Sequence, residues 1–263
     1  MRSCLVSLVL GLALFAPQAM AAPLVAGFAD VVEPDAALTE FLGRLVQTAR
    51  AGLTNKSSDY SVLDSMIAPD LQGFSRGLDP LEAWRKLDLS SDSESGVALL
   101  TTHMVEMGDL PQGATNLPDY RQDMLEILVA LIANPAEPLG TLPETGDAIC
   151  SPARYAFDAK ATAAFAAAHD TDAYSISIYP RDLALYAEPS AAAPVSATLP
   201  ARTLLLSEYV DGQPDDWTKV ITSDEQTGWV EDTTDREGLS QQHLCFDKVD
   251  GAYKIVAFYS YGL

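Results

Sequence analysis

Four groups of residues in this chain have types and spacings that chemistry uses. The first is Gly73-Phe-Ser-Arg-Gly77, the Gly-x-Ser-x-Gly pattern in which a sharp strand-to-helix turn exposes a serine nucleophile above a parallel sheet. Here the preceding residues read as a short helix and loop, and Asp79-Pro80 interrupts the helix after it, so a glycine-rich surface turn is expected. The second is His243-x-Cys245, which with Cys150 offers three metal ligands or a Cys/His nucleophilic pair. The third is acidic: Asp211, Asp215, Asp216, Asp224 and Glu225, and separately Asp92-Ser-Glu94-Ser-Gly96. Neither has the Asp-x-Asp-x-Asp-Gly spacing of a calcium loop, and both read as solvated surface. The fourth is aromatic: Tyr186, Tyr209, Trp217 and Trp229, whose rings are candidates for a ligand groove or for core packing. The remaining histidines, His103 and His169, share no motif with His243, and no phosphate loop or dinucleotide fingerprint is present. The sequence therefore points to no cofactor, no metal and no catalytic centre.

The cysteines are better explained by oxidation than by catalysis or metal binding. Arg2, the apolar run Leu5 to Phe15 and the small residues of Ala19-Met20-Ala21 form the three parts of a secretory signal peptide over residues 1–21. The apolar run is too short to span a bilayer, and no later run approaches the length required. Cys4 precedes the apolar core, which is the wrong place for lipidation at the cleavage site. Export leaves Cys150 and Cys245, and an even pair in an oxidising compartment favours a disulfide over two buried thiols. The expected location is periplasmic or secreted.

The formal net charge is −21. Such a field repels nucleic acid and anionic membranes, and basic residues are too few and scattered to make a nucleic-acid footprint. Nearly half of the residues are apolar, as in a globular rather than a disordered chain.

Periodicity divides the chain. Leu38, Phe41, Leu42, Leu45 and Val46 recur at helical steps behind Glu33-Pro34-Asp35. Further helices are predicted over Tyr60 to Ile67, Leu81 to Leu87 with Trp84, and Tyr120 to Ala133. Asn134 to Asp147 is rich in breakers, and Asp158 to His169 is an alanine-rich linking helix. After Ala173 the pattern becomes alternation and turns. Short strands are predicted at Tyr174 to Ile178, Leu183 to Tyr186, Arg202 to Tyr209, Trp217 to Ile221 and Gly228 to Val230. Leu244 to Val249 and Tyr253 to Phe258 flank Asp250-Gly251 as a hairpin. The expected fold class is α+β: a mainly helical domain over 22–145, a linker with a helix over 146–173, a small β-barrel over 174–235 and a C-terminal β-hairpin over 236–263.

The barrel expectation rests on a resemblance. Leu185-Tyr-Ala-Glu-Pro-Ser190, Pro194-Val195, Leu199-Pro200, Asp216-Trp-Thr-Lys-Val220 and Thr227-Gly-Trp-Val230, in that order, resemble the bacterial SH3-type domain of exported cell-envelope proteins. The first turn departs from the family pattern by lacking its arginine and small residue. The resemblance implies a non-catalytic protein binding peptidoglycan or an envelope protein or peptide, with Tyr186, Tyr209, Trp217 and Trp229 as groove residues and the acidic loops favouring a basic peptide. The alternatives are a wall hydrolase or other enzyme targeted by the barrel, or an acidic-surface regulator of a cationic partner. A helical half containing only His103 and no cysteine speaks against the hydrolase. Separately, Ala37 to Arg50 followed by Met66-Ile-Ala-Pro-Asp70, and the stretch Leu244 to Phe258, resemble the first and last elements of cone-shaped, nuclear-transport-factor-like domains.

Overall fold

The computed structural model describes residues 22–55, 59–89, 95–105, 117–134, 137–231 and 236–261. The expected signal peptide and residues 90–94 of the polar run lie outside the described residues. In chain order the elements are β1 (Gly27–Phe28), β2 (Val31–Val32), α1 (Ala36–Asn55), α2 (Ser61–Ser65), β3 (Ile67–Arg76), β4 (Arg85–Lys86), α3 (Gly96–Met104), α4 (Leu117–Ala133), β5 (Leu139–Thr141) and β6 (Ile149–Ser151). There follow β7 (Tyr155–Ala156), α5 (Ala159–Ala168), β8 (Ile176–Ile178), β9 (Leu183–Tyr186), β10 (Val195–Leu199), β11 (Leu205–Glu208), β12 (Trp217–Thr222), β13 (Thr227–Glu231) and β14 (Glu237–Gly238). The hairpin β15 (His243–Val249) and β16 (Ala252–Tyr261) closes the series.

The strands form two seven-stranded sheets and a two-stranded ribbon of β1 and β7. The framework sheet runs β2-β5-β6-β15-β16-β3-β4, and all its neighbours are antiparallel except β16 and β3, which are parallel. One face carries the helices: Leu38, Phe41 and Leu45 of α1 and Met124, Leu125 and Leu128 of α4 pack in one cluster with Leu244, Phe246, Ile255 and Phe258 of the hairpin. Burying a leucine or phenylalanine side chain contributes roughly 1.5–3 kcal/mol, so this two-layer interface dominates the framework. Asp35 fastens the layers. One carboxylate oxygen accepts from the Leu38 amide at 2.7 Å, and the other accepts from Lys248 Nζ and the Tyr253 hydroxyl. The opposite face buries Phe74, Leu142, Ala148, Ala257 and Tyr259.

The expected mainly helical N-terminal domain is not formed. The described structure is mostly β, and β3 is a ten-residue strand beside the final strand of the framework. Its pattern is obscured by Pro69. The register jumps from Ile255↔Ile67 to Ala257↔Gln72, so Pro69 and Asp70 sit in an exposed irregular stretch where a missing N–H breaks no ladder bond. Likewise the helix expected at Leu81 to Leu87 is a turn followed by β4. The two segments that resemble a cone-shaped domain do meet, since β3 pairs with β16 and Phe41 meets Phe246 edge-on at 5.9 Å.

Everything from β7 to β14 lies between the adjacent strands β6 and β15, as an insertion into the framework. Its sheet runs β10-β9-β13-β12-β11-β8-β14. The expected small barrel is therefore not closed. The free side of β11 is taken by β8, with Leu205 opposite Ser177 and Leu206 opposite Ile176, and the sheet ends in edges at β10 and β14. Other expectations for this region fit. Val220 and Val230 fill a cluster with Tyr179, Leu185, Leu199 and Leu205. A Cβ at Gly228 would stand 3.0 Å from Leu185 Cβ and 3.2 Å from Tyr186 O, so β9 approaches where no side chain intervenes. The N-terminal segment is strapped to the insertion: the Leu24 amide donates to Ser223 Oγ, and the Ala26 amide donates to Arg202 O.

Cys150 and Cys245 are directly opposed on β6 and β15 and form a disulfide across a separation of 95 residues. It brackets the insertion at its root. The loop-entropy relation assigns such a closure on the order of 4 kcal/mol. Replacing both cysteines by serine is expected to lower the melting temperature by on the order of 10 °C. Thermal unfolding with and without reductant measures this, and an unchanged midpoint in the fully reduced protein would show that the bridge carries no stability.

Candidate functional site

Three of the four aromatic candidates come together on one face of the inserted sheet. The register places Tyr186 opposite Trp229, Trp229 opposite Lys219, and Lys219 opposite Glu208, a row running across β9, β13, β12 and β11. Trp217 lies two residues before Lys219, hence on the same face, opposite Glu231, and its ring meets Tyr186 edge-on at 5.3 Å. Lys219 Nζ and the Glu208 carboxylate are 2.7 Å apart. Further along the same face Ile176, Leu206 and Ile221 are covered by Phe165 and Ala166 of α5, which leaves the aromatic end uncovered by that helix. Exposure separates the rings: Trp217 is only 8% exposed, Tyr186 and Trp229 are half-buried, and Tyr209 is 84% exposed on the loop after β11. Trp217 is thus the packing residue, Trp229 keeps part of its ring surface exposed, and Tyr209 stands apart from the row.

The remaining sequence candidates have structural roles. Ser75 is buried within β3, opposite Ser260 and Arg85, and no strand-to-helix turn exposes it as a nucleophile. The cysteines are bonded to each other, which removes both the metal and the thiol-nucleophile readings of His243-x-Cys245. Asp224 accepts from the Thr222 hydroxyl and from Gln226 Nε2, organising the β12–β13 turn. Among the described residues no group of three or more His, Cys, Asp or Glu side chains is placed to hold a metal ion. None of the helices described is long and apolar enough to cross a membrane.

A cleft elsewhere in the molecule was not anticipated. Where the insertion meets the outer face of the framework sheet, a cleft of about 380 Å³ is lined by Arg76, Trp84, Glu144, Arg154, Gln241 and His243 among others. Arg76, at the end of β3, stacks its guanidinium 4.3 Å from the Trp84 ring centre, and Nη1 donates to Pro80 O at 2.9 Å. Burial lowers its pKa to about 10, so it stays cationic at neutral pH. His243 is fully buried, with Nδ1 2.9 Å from Pro152 O, and burial lowers its pKa to about 4, so it is neutral. The sequence signal for this place was the alternation of Phe74 and Arg76 along β3, hidden behind the glycines that frame Ser75.

Beside the cleft, the Tyr155 hydroxyl donates to Glu237 at 2.5 Å, and Glu137 lies 3.4 Å from the same oxygen. Burial, reinforced by the negative charge of Glu237, raises the Glu137 pKa to about 7, against the opposing hydrogen bond from Tyr155. Burial and the two carboxylates push the tyrosine well above its ordinary range.

No protein-family model, curated protein or solved structure matches this chain, so its own geometry carries the functional reading.

Glu137 and His243 bias stability in opposite directions with pH. The raised Glu137 pKa means that its contribution is complete below about pH 4.5 and is lost as pH rises to about 7. The lowered His243 pKa means that its contribution is complete above about pH 6.5 and is lost as pH falls to about 4. Glu137→Gln removes the first effect alone. Discounted for the partial exposure of the carboxylate, the gain at pH 8 is on the order of 1 kcal/mol, or about 2–4 °C. At pH 4 the variant and the wild type should melt together, and the variant should lose stability more steeply between pH 6.5 and 4.5. Parallel melting curves across this range would refute the assignment.

Proposed function

We infer that this chain is an exported, non-catalytic binding protein of the cell envelope, and that the open aromatic face of its inserted sheet is the binding surface. The row Tyr186, Trp229, Lys219 and Glu208 carries the reading, because it presents ring faces beside one positive and one negative charge on rigid strands. Rings of this kind stack on sugar faces or grip the apolar parts of an extended peptide. Peptidoglycan and envelope peptides are the ligand classes that fit. Asp211, Asp215 and Asp216, between β11 and β12, favour the basic members of either class. Export is supported by the signal-peptide pattern of residues 1–21 and by the disulfide, which fits an oxidising compartment. The resemblance of residues 174–235 to bacterial SH3-type modules supports the wall as the source of the ligand.

The test is co-sedimentation of the protein with purified peptidoglycan sacculi. The informative variant is Trp229→Ala, since its ring is half-exposed, whereas Trp217→Ala reports mainly on folding. Saturable binding that falls at least tenfold in a Trp229→Ala protein of unchanged melting temperature is the expected result. Absence of binding at every salt concentration, or binding indifferent to the substitution, would overturn the reading. Binding that instead vanishes steeply with salt would favour an acidic surface acting on a cationic partner.

A further inference from the structure

Arg76 is a buried cation without a contact anion. It is only 8% exposed, its Nε has no hydrogen-bond acceptor, and no carboxylate among the described residues lies within 4 Å of the guanidinium. Asp79, Glu144 and Glu82 favour its charge through space, but none forms a salt bridge with it, so the guanidinium remains able to take an anion entering the cleft. The stack on Trp84 and the bond to Pro80 O fix the guanidinium plane, as bidentate recognition of a carboxylate requires. Gln241 lines the same cleft. Its Oε1 accepts from the Tyr155 amide at 2.9 Å, which orients the side chain, while Nε2 is buried and has no acceptor.

The other wall groups decide which anion. Glu82 and Glu144 also line the cleft, as does a second cation, Arg154, which lies 3.6 Å from Asp30, so the wall carries charges of both signs. They suit a ligand that carries an ammonium group beside its carboxylate. Glu82 is fixed by the Gly77 amide at 3.0 Å, so its charge is positioned without a ligand. Leu81, Phe157 and Leu239 supply an apolar wall, and a volume of about 380 Å³ is at the small end of ordinary ligand pockets. We propose that this cleft binds a small zwitterion with an apolar side chain, a free α-amino acid or a dipeptide, with its carboxylate on Arg76 and its ammonium towards Glu82 and Glu144. The site is separate from the aromatic face, and neither depends on the other.

Calorimetric titration of the whole protein with leucine, phenylalanine and dialanine tests it, beside phenylalaninamide and N-acetylphenylalanine. Saturable binding of at least one zwitterion is expected, with at least tenfold weaker binding of the amide, which lacks the carboxylate. Arg76→Gln should abolish binding. Because Arg76 is buried and that variant risks misfolding, Glu144→Gln provides the second reading, with several-fold weaker binding of phenylalanine and no change for N-acetylphenylalanine. Trp229→Ala should leave all these affinities as they are. Failure of every zwitterion to bind at millimolar concentration, or an amide that binds as well as the acid, would overturn the proposal.

Discussion

The pairing of β6 with β15 is the constraint on which the rest of this structure depends. These neighbours in the framework sheet are joined through Cys150 and Cys245, yet the chain between them builds a second sheet, a helix and half of a ribbon. An insertion can be accommodated in a sheet only if its two ends emerge side by side, and the register of Cys245 opposite Cys150 enforces that. Tertiary packing on the helical face then depends on β15 presenting Leu244 and Phe246 to α1 and α4. A register slip of one residue would turn both away and present His243 and Cys245 instead.

Rooting the insertion at this place also creates the cleft. The framework face opposite the helices carries Phe74, Arg76, Tyr259 and His243, and the first and last residues of the insertion close over it through Tyr155, Phe157, Leu239 and Gln241. Neither part has the concavity alone. The aromatic face has a different origin, since it needs only the pleat of one sheet and the absence of a covering helix at its β9–β13 end. One chain thus presents a ring-lined sheet face and, apart from it, a charged, half-open cleft.

Legibility in the sequence followed the range of the interactions. Helices α1, α4 and α5 were visible because their caps and apolar periods lie within a few turns, and the Asp250-Gly251 hairpin because its turn residues are diagnostic on their own. The strands of the insertion were visible as short alternating runs, and with them the gathering of Tyr186, Trp217 and Trp229. Strand β3 was not. Its long partner β16 is almost two hundred positions away and its near partner β4 is only two residues long, while Pro69 and Gly73 carry local signals of a break that a parallel, irregular pairing overrides. The missed strand took Arg76 with it, and hence the cleft. Barrel closure failed as an expectation for a related reason: β8 lay at the margin of the matched segment, and only its pairing with β11 decides whether that edge is free.

The position of β16 has a consequence for how the molecule is made. It is the last of the described strands in chain order, but it lies inside the framework sheet, between β15 and β3. Until those residues have left the synthetic machinery, β3 lacks its parallel neighbour and β15 its hairpin partner, so the framework sheet cannot assemble from the nascent chain. Completion of the core therefore waits on β16, whatever order the described strands before it form in.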